Sequence, residues 1–316
     1  MKKGMRKEMR NGKGSGRDEG GGDECKDYES RGDQDKGYAT AAGAATILNA
    51  VSTWKGSAFG IGLRTWAEVE LDDTGAVRGD VPGVDTRLIE RCVQMVLERL
   101  GSKSGALVRT KSEIPVASGL KSSSTAANAA VLATLDALHV EMDLLEAAKI
   151  GVAAARQVGV TITGALDDAL ASMLGGLVVT DNREMKLLKR EELSSPVMIL
   201  APEKKLFSSD TSVSRSRLIA PVADVVFDLA MKGDYSRAMT INGLAYCAAL
   251  GLPAEPMLLA LEAGASGTSL SGTGPAYVAL IDEGRMDDLE AAWRPLGGKV
   301  IRTMTNNNSA SKGRGI

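Results

Sequence analysis

Residues 114–125 read Ile114-Pro115-Val116-Ala117-Ser118-Gly119-Leu120-Lys121-Ser122-Ser123-Ser124-Thr125, and the next twelve read AANAAVLATLDA. Ala106 to Pro115 has extended character. The Ser/Ala-rich run from about Ser122 has the composition of a packed helix. Between them lie a glycine, which lets a backbone come close to a ligand, and a set of small hydroxyl residues. A strand that bends through such a turn into a helix N-terminus makes an anion site, because first-turn N–H groups point outward and the helix dipole adds to their attraction. Lys121 would bring a full positive charge to the same place. The pattern G-x-x-x-x-G-K-[ST] is not met, since Leu120 precedes Lys121, so this is a different kind of phosphate loop. Taken alone, the stretch also suits a serine-capped packing helix in an Ala-rich core.

Outward from this loop, Tyr38–Val51 and Gly60–Leu71 read as strands, the second with alternation in RTWAEVEL. Asp85–Leu100 repeats apolar residues at helical spacing and Gly101 stops it. Helices are expected around Asp143–Gln157 and Ala165–Leu174, strands at 177–180 and 197–201, and helices at 222–231, 235–250 and 254–263. A strand at Ala276–Ile281 and a closing helix and strand follow. Strands and helices interleave without a regular βαβ period, which indicates an α+β fold. Residues 1–36 are charged, Gly-rich and poor in anything to bury, so they read as a disordered tail, as do 305–316. The folded part divides into 37–185 and 186–304.

Of the 316 residues, 44% are hydrophobic, enough for a substantial core, and the formal net charge is -2. A pI near 5.7 gives no basic field for nucleic acid. No apolar run reaches the roughly 18 residues of a membrane crossing, and no segment resembles a signal peptide, so a cytoplasmic location without membrane or nucleic-acid partners is expected. Cys25, Cys92 and Cys247 are too scattered for a disulfide framework or a thiolate metal site, and His139 is the sole histidine. The sequence leaves oligomeric state open, a homodimer included.

The pattern P-x-x-x-G-L-x-S-S-S-x-A at 115–126 is similar to the second motif of the GHMP kinases. Gly43–Ala50 with Trp54–Ile61 looks like the first motif, in the form seen in archaeal shikimate kinases. Ser271-Gly272-Thr273-Gly274-Pro275-Ala276 resembles the third, a glycine-rich turn that closes over phosphates. The three occur in order and span residues 38 to about 304. The generic family carries glycine where this chain has Lys121, a departure shared with the archaeal shikimate kinases.

This resemblance implies a GHMP kinase fold, with an N-terminal ribosomal-protein-like domain at 37–185 and a C-terminal ferredoxin-like domain at 186–304. It implies ATP on Pro115, Val116, Ala117, Ser118, Gly119, Leu120, Lys121, Ser122, Ser123, Ser124 and Thr125, closed by Gly272, Thr273 and Gly274. Asp167, in Gly164-Ala165-Leu166-Asp167-Asp168-Ala169, stands where the family carries the carboxylate that orients or deprotonates the acceptor hydroxyl. Asp168 replaces the usual asparagine, and either acid could serve. Lys55 is the matching basic partner. Phosphoryl transfer also asks for Mg2+ to neutralise the phosphates, and Ser123 is the matching hydroxyl ligand. The expected substrate is shikimate, phosphorylated on the way to aromatic amino acids; homoserine and mevalonate are the alternatives, and a nucleic-acid-binding module on the same N-terminal fold is a more distant one. Shikimate's carboxylate needs a cation, for which Arg64, Arg109, Lys111, Arg156, Arg215 and Arg217 are candidates.

Overall fold

Two long strands, β1 (Lys36–Leu48) and β2 (Lys55–Asp72), form the spine of the protein. Their runs of Ala, Gly, Thr and branched residues suit a sheet covered on both faces, and β1 is buried almost throughout. In the computed structural model, which describes residues 35–115, 118–203 and 212–313, they pair antiparallel, with register shifts near Gly43 and Leu48. The C-terminal half of β2 pairs with β4 (Gly105–Ser112) and its N-terminal half with β5 (Leu177–Asp181). β3 (Val77–Gly79), β6 (Lys186–Glu191) and β11 (Ser311–Lys312) complete this sheet. A second sheet has the order β10 (Lys299–Met304), β7 (Pro196–Ala201), β9 (Tyr277–Leu280) and β8 (Gly267–Leu270).

Helices α1 (Arg87–Leu100), α2 (Ser122–Ala137), α3 (Leu144–Gln157) and α4 (Leu166–Leu174) pack with the first sheet into one apolar cluster. α2 is buried on nearly every side, which its alanines allow, and Gly37 lets β1 approach it: a Cβ at Gly37 would stand 2.1 Å from the Ala133 carbonyl oxygen. Such contact leaves no room for larger side chains. α5 (Val213–Leu218), α6 (Ala220–Met231), α7 (Tyr235–Leu250), α8 (Glu255–Glu262) and α9 (Met286–Trp293) accompany the second sheet. Buried residues of β1 and β2, Ile47, Phe59 and Ile61 among them, share a cluster with Val197, Ile199 and Val226, so the two sheets meet through a common core. The described residues from 35 to 313 form one compact unit. The α+β reading holds, and Gly101 ends α1 in the left-handed conformation at φ 68°.

The expected C-terminal tail is a correction. Residues 305–313 are ordered: Asn306 N–H donates to the Gly60 carbonyl, the Asn306 carbonyl accepts from Gly176 N–H, and Ala310 N–H donates to Met173. Composition misleads here because main-chain hydrogen bonds tie the segment down, and a polar run such as TNNNS supplies those as well as an apolar one. Residues 1–34 and 314–316 lie outside the described residues, and with them most of the expected N-terminal tail; Lys36 already belongs to β1.

Candidate active site

α2 starts where Lys121 turns the chain into the left-handed region, at φ 65° and ψ 29°. For a side chain other than glycine this costs about 1–2 kcal/mol, so the surroundings must impose it. No side chain caps the helix and its first turn holds no acid. Thr125 N–H makes the first helical bond, to the Lys121 carbonyl at 2.9 Å. The amides of Ser122, Ser123 and Ser124 are therefore the ones the helix cannot satisfy internally.

The glycine-rich turn at 271–275 fastens onto this loop. Ser271 Oγ donates to the Gly119 carbonyl at 2.9 Å, and Ala276 N–H to the Ser118 carbonyl at 2.9 Å. Glycine is required at 119, whose φ is +86°, because a Cβ there would lie 2.2 Å from the Ser271 oxygen. β1 joins from the other side: Gly272 N–H donates to Thr46 Oγ1 at 2.8 Å, and Asn49 Nδ2 donates to the Gly272 carbonyl at 2.7 Å. Three segments at least 69 residues apart in sequence are thus bonded into one cradle.

The carboxylates enter from the start of α4, where Gly164 and Ala165 also take positive φ values of 87° and 49°. Asp167 is 3% exposed, and its Oδ1 accepts from Asn182 Nδ2 at 2.8 Å. Gly56 makes room for it, since a Cβ there would lie 2.5 Å from Asp167 Cγ. Burial, and then the adjoining charge of Asp168, push the Asp167 carboxyl up from 3.8 to about 7, against the pull of Lys121 and Asn182. Asp168 forms an ion pair with Lys121 Nζ at 2.8 Å, with side chains only 12% and 9% exposed. The two adjacent acids therefore differ: Asp167 faces an amide and Asp168 a cation. Arg156 braces the preceding loop, its Nη2 donating to the carbonyls of Thr163 at 2.9 Å and Asn182 at 3.3 Å.

These groups line one cleft with Asn49–Val51, Thr161–Thr163 and Thr273. α7 holds its wall. Asn49 N–H donates to Asn242 Oδ1 at 3.0 Å, Ser52 N–H donates to the Tyr246 hydroxyl at 3.1 Å, and that hydroxyl donates to the Asn49 carbonyl at 3.1 Å. Burial pushes the Tyr246 phenol up to about 12, so it stays a neutral hydrogen-bonding group.

Of the residues expected from sequence, Lys121, Asp167, Gly272 and Thr273 line the cleft, and Ser118 and Gly119 are bonded to the turn that closes it. Ser122, Ser123 and Ser124 stand at the open helix start, with Ser123 exposed. Leu120 points into the core, and Ser118 Oγ is spent on the Pro115 carbonyl at 2.7 Å. The Thr125 hydroxyl is buried and donates to the Lys121 carbonyl at 2.9 Å. Gly274 turns the chain back, its N–H donating to the Ser271 carbonyl. Val116 and Ala117 lie outside the described residues.

Lys55 is not brought to Asp167. Its Nζ sits 4.3 Å from the Phe227 ring centroid, whereas Gly56, the next residue on the strand, faces Asp167. Successive strand residues point to opposite faces, so Lys55 leaves the site and Lys121 is the cation beside the carboxylates. Arg64, Arg109 and Lys111 are absent from the cleft lining; Arg109 pairs with Glu68, Glu70 and Asp80. Arg215 donates to the Ala248 carbonyl, and Arg217 is exposed. Sequence reading missed Gly56, Asn182, Asn242 and Tyr246. None carries a local signal, because each matters only through a neighbour more than ten residues away.

Among the described residues no three acids, histidines or cysteines cluster as a metal cage. A magnesium ion that takes most of its ligands from phosphate and water needs no such cage, and Ser123 at the exposed helix start offers the hydroxyl oxygen it accepts. The donor set fits that ion.

The arrangement, an anion cradle opposite a buried carboxylate in an α+β frame, defines a small-molecule kinase of the GHMP type, and comparison with known proteins agrees. Residues 87–176 match the family model for the GHMP kinases N terminal domain. A mevalonate kinase from Methanococcus jannaschii superposes with a TM-score of 0.70 at 15% identity, covering 85% of this chain and 98% of that one. A homoserine kinase from Cytophaga hutchinsonii gives 0.69 at 17% identity, covering 88% and 98%. A shikimate kinase from Methanothrix thermoacetophila is 61% identical over 279 residues, 88% of this chain and 97% of that protein. One from Methanosarcina mazei is 58% identical over 282 residues, 87% and 96%. The chain belongs to the archaeal shikimate kinase family, a branch of the GHMP kinases.

Proposed function

We infer that the protein transfers the γ-phosphoryl group of ATP to the 3-hydroxyl of shikimate, giving 3-phosphoshikimate and ADP. The observation that carries the chemistry is Asp167: a carboxylate 3% exposed, raised to about 7, in the wall of a cleft that Lys121, at the turn into α2, also lines. A base tuned near neutrality can take the hydroxyl proton as the phosphoryl group departs from ATP. The amides of Ser122–Ser124 receive phosphate oxygens, and the 271–275 turn, bonded to Gly119 and Thr46, closes that cradle. Magnesium, held by Ser123 and the phosphates, supplies neutralising charge when bound. Thr161 and Thr163 present hydroxyls suited to a polyhydroxylated ring.

On this reading β1–β5 with α1–α4 (37–185) is the nucleotide-binding half and 186–304 the half that closes it, although its first strand, β6, pairs with β5 in the first sheet. The reading also places the enzyme in the cytoplasm, acting on small molecules and not on nucleic acid. Among the described residues no helix is long and apolar enough to cross a membrane. The test is a coupled ADP-release assay with shikimate, homoserine and mevalonate offered separately. Turnover with shikimate alone is expected; turnover with only one of the other two rejects the substrate.

A further inference from the structure

Lys121, at the turn into α2, and Asp168, in the first turn of α4, touch. Lys121 occupies a left-handed position that glycine would take without strain. Their heads meet at 2.8 Å with side chains 9% and 12% exposed. Gly272 adjoins the pair: a Cβ there would lie 2.9 Å from Lys121 Nζ. The lysine therefore lies at the meeting point of the phosphate loop, the closing turn and the start of α4, one residue from Asp167.

A buried ion pair is a poor way to gain stability, because desolvating two charges costs about as much as their attraction returns. This one borders the cleft, with both partners in its lining. We propose that Asp168 is a positioning residue: it holds the Lys121 ammonium in place between the nucleotide cradle and Asp167, so that the phosphoryl group in flight meets a cation already fixed. An untethered lysine would lose its side-chain freedom when it reached the phosphate. With Asp168 in place that ordering is completed on folding, and the charge is preorganised where negative charge develops. The two acids then have separate duties, Asp167 toward the hydroxyl proton and Asp168 toward the lysine.

The proposal rests on the phosphotransferase reading, and its test separates the two. Steady-state kinetics and thermal melting are measured for wild type, Asp168→Asn, Lys121→Met, the double variant, Asp168→Glu, and the exchange Lys121→Asp with Asp168→Lys. Lys121→Met is expected to lower kcat by about 100- to 1000-fold. Asp168→Asn should lower it by about 100-fold, with both KM values changing less than about threefold. The double variant should be no slower than Lys121→Met, because Asp168 acts only through the lysine. Asp168→Glu, which keeps the charge, should recover at least about a tenth of wild-type kcat. The exchanged pair should melt near wild type yet stay as slow as Lys121→Met, since it restores the strut and not the cation. Wild-type kcat in Asp168→Asn, multiplied losses in the double variant, or restored kcat in the exchange would each overturn the proposal. Should wild type prove inactive on shikimate but active on another alcohol, the substrate reading fails and the same comparison is made on that alcohol.

Discussion

Asp167→Asn removes the proposed base and, with it, a buried charge, so it should cost activity while adding stability at a pH where the wild type is fully ionised. The asparagine can keep the hydrogen bond from Asn182 Nδ2 through its own Oδ1, so the wall of the cleft is preserved. In the folded wild type the carboxyl has risen from 3.8 to about 7, burial being the largest cause. Between those pH values the native state keeps a proton that the unfolded chain has released. Stability therefore falls as pH rises through the window, and the loss is complete above about pH 7. At 1.36 kcal/mol per pH unit the loss is about 4 kcal/mol. Asparagine carries no such penalty. The variant should melt on the order of 10 °C above wild type at pH 8, and the gap should nearly close by pH 4, where Asp167 is protonated in the folded state and about half protonated in the unfolded one. Turnover should drop by about 100- to 10,000-fold, and wild-type kcat/KM should decline below about pH 7 as the base is protonated. Calorimetry at pH 4, 6 and 8 with matched pH–rate profiles is the assay. An equal melting gap at all three values, or a wild-type profile flat from pH 6 to 8, would refute the account of Asp167.

Gly56→Ala places a methyl 2.5 Å from Asp167 Cγ and must push the carboxyl aside; kcat should fall by about 100-fold while the circular dichroism spectrum is retained. Tyr246→Phe removes the hydroxyl that bonds Ser52 N–H and the Asn49 carbonyl; buried groups left unpaired cost about 1–3 kcal/mol, which denaturant unfolding will register, and KM for shikimate should rise more than KM for ATP. Ending the chain after Met304 removes the bonds of Thr305, Asn306, Ala310 and Gly313 to Ser195, Gly60, Gly176, Met173 and Tyr38; at about 1 kcal/mol each this should lower stability by several kcal/mol, and an unchanged melting temperature would show the segment to be dispensable.

The elements were legible because their signals are local. Helical spacing in RLIERCVQMVLERL, glycine at 101 and the Ser/Ala run after Lys121 act within a few residues, and α1 and α2 form where those signals put them. The turn into α2 was legible for the same reason, since a helix start and its amides belong to adjacent residues. The ordered segment 305–313 was not, because its hold is a set of main-chain hydrogen bonds to distant strands, and side-chain composition carries no record of them. Lys55 shows the other limit. Its position beside Gly56 in the chain suggests proximity to Asp167, but strand alternation turns the two side chains to opposite faces.

Residue type and short-range spacing by themselves determined the α+β class, the helix that opens on Ser122 and the acids available near residue 167. Only the tertiary structure decided which acid is buried against Asn182 and which is paired with Lys121, because both outcomes depend on side chains brought together from 15 and 47 positions away. Burial and neighbouring charge set a carboxylate's chemistry, and neither exists until the chain has closed around it.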